Sequence, residues 1–463
     1  MDKQTEALTL PTDSGDLIAV SPAQLFASPG TWTSEFGPPR LSDAGDTGLN
    51  ELFIRALLLK VMYGHGLQSA SDISKVVKLP VTIVRDALEA MRMKALLESL
   101  GADAKGRQLD LRYNLTNAGK EGAQQALRQS LYSGPAPVPV AQWQAQVKRQ
   151  SILNDRVDQS AINESLKGLV IPRDMMARFG PAVNAGRGIL LYGAPGDGKT
   201  SIAQAIARSF RQPVWVPYAI EVDGEIIKLF DPAIHQELPP APGSSDNALS
   251  IYARSARVAN DRRWVRCSRP VMIVGGELTM EMLELRYDPI GNMSEAPIHT
   301  KVTGGVLVID DFGRQIAKPE QVLNRWVLPL ESRIDYLTLH NGKKFAVTFD
   351  GLMIFSTNLT PRAIMDSAMM RRIPYNFHIG PPTYDEYVKI FKNVCRDHGL
   401  EFDLDVVRMV MSHLYEDENL PMARFHPRFI VDHLLAHCSY EGRAATMDPK
   451  LVLDAAEHLY TKH

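Results

Sequence analysis

From Leu49 onward apolar residues recur at helical spacing, with Leu52, Ile54, Leu57, Leu58 and Val61 on one face up to Gly64. Ser71-Asp72-Ile73-Ser74 opens a short second helix that Leu79-Pro80 ends, and a third starts near Val81 with Ile83, Val84, Ala87, Leu88 and Met91 on one side. Residues 101–106 form a turn between two short extended pieces, the second spanning 109–115, and a last helix covers 117–131. Ser133-Gly134-Pro135-Ala136-Pro137-Val138-Pro139 then alternates prolines, which favours an extended linker. Later come short unbroken apolar runs, Gly188-Ile189-Leu190-Leu191-Tyr192, Val306-Leu307-Val308-Ile309 and Leu352-Met353-Ile354-Phe355, each reading as a buried strand. Across 335–349 polar and apolar residues alternate around Asn341-Gly342, a hairpin signal. Residues 384–398 begin a set of amphipathic helices. Residues 1–46 are rich in Ser, Pro, Gly and Asp and hold no period, so they read as a disordered tail, with Phe26, Trp32 and Phe36 as possible docking aromatics.

The 463-residue length asks for several domains, and 45% hydrophobic with 22% charged residues is an ordinary globular balance. The net charge of −2 gives no overall basic character of the kind that advertises nucleic acid. Charge is uneven, however. Residues 1–49 carry two basic and seven acidic side chains, net −5, and residues 50–132 carry twelve basic and eight acidic, net +4. Cys267, Cys395 and Cys438 are too dispersed for a metal site, so reduced thiols in a cytoplasmic protein are expected. The N-terminus lacks signal-peptide character, and no apolar run is long enough to span a membrane.

The chemistry is concentrated after the first apolar run. Gly193-Ala194-Pro195-Gly196-Asp197-Gly198-Lys199-Thr200 is G-x-x-x-x-G-K-T between a strand and the helical pattern that starts at Ser201. Glycines let backbone N–H groups approach phosphates, and the helix N-terminus adds partial positive charge. Lys199 is placed for the β- and γ-phosphates of ATP and Thr200 for Mg²⁺. The run Val306–Ile309 ends in Asp310-Asp311, with Asp310 placed to hold Mg²⁺ and Asp311 to act on the attacking water.

Together these motifs resemble the AAA+ ATPase superfamily over residues 151–463. The resemblance implies that Asn358, ending the 352–357 run, is a sensor that orients the lytic water. It implies an arginine finger for the next subunit in Asp366-Ser367-Ala368-Met369-Met370-Arg371-Arg372, with Arg372 ahead of Arg371. It also implies a nucleotide contact from the lid at Arg428, with Arg424 as the fallback. Most relatives carry glutamate where Asp311 stands, which puts fast hydrolysis in question. The hairpin before Asn358 resembles the pre-sensor-1 hairpin group, including MoxR-type ATPases, and 287–299 is expected to form a helix-2 insert of their kind. Glu277 is a minor alternative base, and Phe230 and Tyr287 are candidates for gripping a substrate in a pore.

The expected fold is therefore a P-loop α/β core over 151–380, with five parallel strands near 189–192, 213–218, 306–310, 353–356 and 376–379 and helices on both faces. A helical lid follows over 381–463. Ahead of it lie the tail (1–46), a domain resembling a winged helix (47–132), whose strand and last-helix start read Arg112-Tyr113-Asn114-Leu115-Thr116-Asn117-Ala118-Gly119, and a Pro-rich linker (133–150). The resemblance implies a homo-oligomer, a hexamer first, without membrane contact. Three client readings stand open: a protein remodeller that docks partners through the winged helix, a DNA-dependent ATPase that binds duplex with it, and a nucleotide-gated scaffold of low turnover. The mixture of Arg85 and Arg92 with Asp86 and Glu89 in the third helix favours the first.

Overall fold

Strand-forming runs buried on both faces need helices above and below them, and the chain supplies both. The computed structural model describes residues 37–103, 110–239, 260–417 and 420–459, with the backbone of two further short strands, Thr9–Pro11 and Leu17–Ala19. Its central sheet has five parallel strands: β1 (Ile189–Tyr192), β2 (Val271–Val274), β3 (Gly305–Ile309), β4 (Gly351–Thr357) and β5 (Tyr375–His378). Their spatial order is β2-β3-β4-β1-β5. Successive side chains go to opposite faces. Ile189, Leu191, Val306, Val308, Leu352 and Ile354 pack against helices Arg173–Asn184 and Lys199–Ala207. Leu190, Leu307, Ile309, Met353 and Phe355 pack on the other face against Val322 and Trp326 of helix Pro319–Ser332.

One expected strand is replaced. Val214–Pro217 pairs antiparallel with Trp264–Cys267, outside the central sheet. The second core strand is Val271–Val274, which runs parallel to β3 with Val271 opposite Val306. An edge strand needs only one neighbour, and Ile273 stays 37% exposed there, so a short run suffices. The expected helical insert at 287–299 is instead a β-ribbon, Arg286–Asp288 against Met293–Glu295, followed by the short helix Ile298–Lys301. This ribbon completes a second sheet with Glu225–Lys228, Ala219–Val222 and Val138–Pro139.

The hairpin before β4 forms as its alternation predicts. Ile334–Thr338 pairs with Lys344–Thr348, Asp335 and Leu337 face inward, and Gly342 takes the positive φ of 84° that the turn needs. Its tip is tied to the second sheet by Lys343 with Asp223 at 2.7 Å and by Tyr287 stacked on His340 with ring centroids 3.7 Å apart.

Toward the N-terminus come helices α1 (Glu51–His65), α2 (Ala70–Val77) and α3 (Val81–Met93), a hairpin of Leu97–Asp103 with Asp110–Leu115, and helix α4 (Asn117–Gln129). Asn50, Ser69 and Thr116 start three of the helices by accepting backbone N–H groups on their side chains. This body has no separate core: Ala219 and Ile226 of the second sheet pack into the cluster that holds Leu57, Leu58 and Leu88. Residues 37–46, read as tail, are partly packed as well. Leu41 is buried, Thr9–Pro11 pairs antiparallel with Leu17–Ala19, and the other residues up to 36, Phe26, Trp32 and Phe36 among them, lie outside the described residues. Nor is 133–150 a linker throughout. Val138–Pro139 is a strand, and helix Val140–Arg149 buries Trp143. Arg263, 1% exposed, holds the junction: it pairs with buried Asp261 and donates to the Thr47 carbonyl at 2.9 Å and the Pro137 carbonyl at 3.0 Å. A guanidinium can serve several such acceptors at once because its donors are fixed in a plane.

Candidate phosphate-loop site

The loop after β1 is shaped by its glycines. Gly193, Gly196 and Gly198 have φ of 155°, 85° and 83°. A Cβ on Gly193 would lie 2.0 Å from the Ile379 carbonyl, and one on Gly196 2.3 Å from the Phe425 ring. No other residue fits either place. The loop feeds helix Lys199–Ala207, so the free N–H groups of its first turn, from Lys199, Thr200 and Ser201, stand at the loop's end.

Lys199 is 5% exposed, and its ammonium donates only to loop carbonyls, Gly193 at 3.2 Å and Ala194 at 2.8 Å. Burial lowers its pKa, against the pull of Asp197, Asp311 and Asp310. Asp197, 1% exposed, forms no ion pair among the described residues, and burial raises its pKa despite Lys199, Arg424, His378 and the Ala194 amide nearby. The Thr200 hydroxyl lies 2.8 Å and 3.0 Å from the two carboxylate oxygens of Asp310. The Asn358 amide donates to Asp311 at 3.2 Å. Asp311 has φ of 48°, a conformation that Asp and Asn adopt more readily than longer side chains. The Phe312 amide donates to the Ser356 carbonyl at 2.7 Å, and the Thr357 hydroxyl to the Phe312 carbonyl at 2.6 Å, so the ends of β3 and β4 are locked together.

These residues fit a magnesium nucleotide. The donor set of one hydroxyl and one carboxylate is hard oxygen, which Mg²⁺ prefers. The ammonium of Lys199 has only neutral carbonyls to bond, and an anion beside it would supply the missing charge.

The lid reaches this loop through Arg424 and Phe425. Arg424 donates to the Val170 carbonyl at 2.6 Å and pairs with Glu386 at 2.9 Å. Glu386 also closes the capping box that starts helix Tyr384–Asp397 with Thr383. The arginine thus ties two lid segments to the chain ahead of β1. Arg428 is not brought to the loop: its side chain is 72% exposed, on helix His426–Tyr440 beside Asp432. The fallback Arg424, and not the first choice Arg428, is thus the lid arginine beside the loop; Phe425 and Val170, its neighbours there, carry no sequence signal. Arg372 pairs with Glu331 of its own chain and donates to the Ala368 carbonyl at 3.1 Å, while Arg371 is exposed. Glu277 caps the Gly275 amide from its own loop at 3.0 Å. Phe230 stacks on His235 with centroids 5.4 Å apart.

The phosphate loop, the paired carboxylates ending β3 and the order β2-β3-β4-β1-β5 define the architecture. The core is a P-loop AAA+ fold. Comparison with known proteins adds one family match, a domain of unknown function (DUF8689) over residues 383–458, which is the lid. No curated protein sequence matches the chain. Among solved structures, a RuvB point mutant from Thermotoga maritima is similar at 13% identity and a TM-score of 0.34, covering 67% of this chain and 73% of that one. NtrX from Brucella abortus is similar at 14% identity and a TM-score of 0.34, covering 59% of this chain and 53% of its own. A second RuvB mutant of T. maritima gives 14% identity and a TM-score of 0.32, with 65% and 70% covered. These values are low, and the fold assignment stands on the chain's own strands and loop.

The contrast between the two lid arginines is measurable. Arg424→Ala leaves Glu386 without its partner and is expected to cost about 2 kcal/mol in denaturant unfolding. Arg428→Ala should stay within about 0.5 kcal/mol, as for an exposed side chain. Equal costs would mean that Arg424 does not latch the lid.

Proposed function

We propose that the protein is a Mg-ATP hydrolase that works as a ring, with its N-terminal body docking a protein partner. The observation that carries the catalytic part is the convergence of Lys199, the Thr200–Asp310 contact and the Asp311–Asn358 contact at the end of β3 and β4. In this reading the loop amides and Lys199 hold the phosphates, and Thr200 and Asp310 hold the metal. Mg²⁺, when bound, supplies charge neutralisation on the phosphates. Asp311 polarises the attacking water, and Asn358 fixes the Asp311 carboxylate. The short side chain at 311 suits its left-handed backbone, so aspartate there agrees with turnover as well as with a slow scaffold.

The N-terminal body has the helix and hairpin order of a winged helix. Of the exposed bases around its third helix, Arg92 pairs with Glu89, Lys75 with Asp72 and Lys94 with Glu51, while Arg85 and Lys78 form no ion pair among the described residues. Paired bases have less to offer a phosphate backbone, which favours a protein partner over duplex DNA. Lys105 and Arg107, two further candidate phosphate contacts, lie outside the described residues.

Lys199→Ala is expected to abolish nucleotide binding. Asp311→Asn keeps the backbone preference and should bind ATP normally while losing turnover by about 10²-fold or more. Parallel affinity and steady-state measurements decide this, and parental turnover in Asp311→Asn would remove the assigned role.

If a ring supplies an arginine in trans, doping inactive subunits should depress activity beyond their share. Arg372→Ala and Arg371→Ala are to be doped separately into wild type, because Glu331 holds Arg372 within its own chain and Arg371 is free of that pair. Strictly proportional loss for both would sink the trans-acting arginine.

Full-length protein titrated with labelled duplex at two salt concentrations tests the client class. Only weak binding is expected. Sub-micromolar affinity with a log–log salt slope of several units, about −0.9 per phosphate contact, would move the protein to the nucleic-acid class.

A further inference from the structure

Where the N-terminal helices meet the second sheet there is a groove of about 330 Å³, half open to solvent, with exposed Asn50, Leu52 and Gln129 on its rim. Phe53, Ala56 and Leu57 of α1 and Ala126 of α4 give it apolar walls, and Ile226 of the second sheet with Gly224 of the adjoining turn borders the far side. One cation lines it. Lys60 is 5% exposed, and its ammonium donates to the Ser130 carbonyl at 3.1 Å, just past the end of α4. An ammonium carries three donors, and this contact uses one. Among the described residues no carboxylate forms an ion pair with it, and burial alone pushes its pKa down to about 8. Part of the cation's cost is offset by the C-terminal carbonyls of α4, a common role for lysine. That leaves a buried positive charge without a counter-charge, on the wall of a space large enough for a small ligand.

The anion that fits is narrow in kind. A phosphate or sulfate wants several donors, and the site offers a single ammonium and no arginine; the N-terminus of α1 also borders it, but the Leu52 amide is already taken by the Asn50 side chain at 2.8 Å and the Phe53 amide by the Asn50 carbonyl at 2.9 Å. The negative end of α4 beside Lys60 also disfavours a doubly charged group. Beyond Asn50, Gln129 and Ser130 at its edge, the remaining walls are apolar and want apolar surface. We propose that this groove binds a small monocarboxylate, its carboxylate paired with Lys60 and its aliphatic or aromatic body against Phe53, Leu57 and Ile226. The occupant bridges the N-terminal body and the Asp223–Gly224 turn, whose Asp223 makes an exposed ion pair with Lys343 of the hairpin tip. The site therefore lies on the physical connection between the N-terminal body and the hairpin ahead of β4. The proposal rests on this junction and not on the nucleotide reading.

Octanoate is the probe, titrated calorimetrically into full-length protein without nucleotide, with octylamine, octanol and inorganic phosphate as comparators. Saturable one-to-one binding of octanoate is expected, with none for octylamine. Lys60→Gln should weaken it by about tenfold or more, and Lys60→Arg should restore most of it. Ala56→Phe fills the groove while keeping the cation, and it should abolish binding; it carries the decision if Lys60→Gln does not fold, as thermal unfolding will show. No saturable octanoate binding at millimolar concentration would overturn the site. So would octanoate binding that survives both Lys60→Gln and Ala56→Phe. Octanol binding as well as octanoate would reject the role of Lys60, and tighter binding of phosphate would reject the ligand class.

Discussion

The chain between β1 and helix Lys199–Ala207 must run close under two other segments while keeping its amides directed to one side. The Ile379 carbonyl covers Gly193, and the Phe425 ring covers Gly196. Neither position can hold a side chain, so the loop's shape and the placement of its neighbours are one constraint. Ile379 follows β5, whose backbone pairs with β1 in register from Tyr375 opposite Ile189. Phe425 belongs to the lid. The sheet edge and the lid are therefore both positioned by how closely they can approach a backbone without Cβ atoms. Anything that displaces the loop displaces them too.

This closeness explains where charge is placed. Lys199 and Asp197 are both buried within the loop, and their ordinary ionisation is opposed by burial. Neither finds a strong partner inside the loop itself. Arg424 stands next to them, yet its bonds go to Glu386 and to the Val170 carbonyl. The loop thus holds charge that is poorly compensated, while the latch beside it is well compensated. A polyanion entering the loop changes the first balance directly and the second through the shared neighbourhood. Motion of the lid relative to the core is the response such a difference can drive, because ligand binding shifts a conformational equilibrium only through unequal contacts in the two states.

The parts of this arrangement that were legible in the sequence are those fixed by local rules. The phosphate loop needs its glycines at set spacings, and the Asn341-Gly342 turn needs a residue tolerant of positive φ. The runs at 189–192, 305–309 and 351–357 are buried on both faces and so are unbroken in the sequence. The second strand was misplaced because Val214–Pro217 and Val271–Val274 are equally short and apolar, and only pairing partners far along the chain decide between them. Arg424 and Arg428 sit four residues apart, on either side of a helix start. Which one faces the loop depends on the lid's docking angle, a tertiary quantity. The packing of 37–47 and of Val138–Arg149 was hidden by composition, since prolines and small residues mark an extended chain whether or not something covers it.

The second sheet gives the N-terminal body a fixed seat. Its strands come from four stretches of chain: residues 138–139, 219–222, 225–228 and 286–295. It shares a hydrophobic cluster with the N-terminal helices and is bound to the hairpin tip by Lys343 and His340. The base of that hairpin is held just as firmly. Buried Asp335 accepts from His299 at 2.7 Å and from Arg325 at 2.6 Å, and Arg325 lies on the helix that follows the β3 carboxylates. These contacts keep the Asp335 carboxyl down to about 2, in spite of its burial. A continuous set of contacts therefore runs from the end of β3, through helix Pro319–Ser332 and the hairpin, to the second sheet and the N-terminal helices, buried where Leu337, Leu339 and Val347 meet Ile220, Val222 and Ile227 and exposed at the Lys343–Asp223 pair. A body carried on a loose linker would feel events at the phosphate loop only by chance encounter, whereas one seated on this sheet must move with the hairpin or release it.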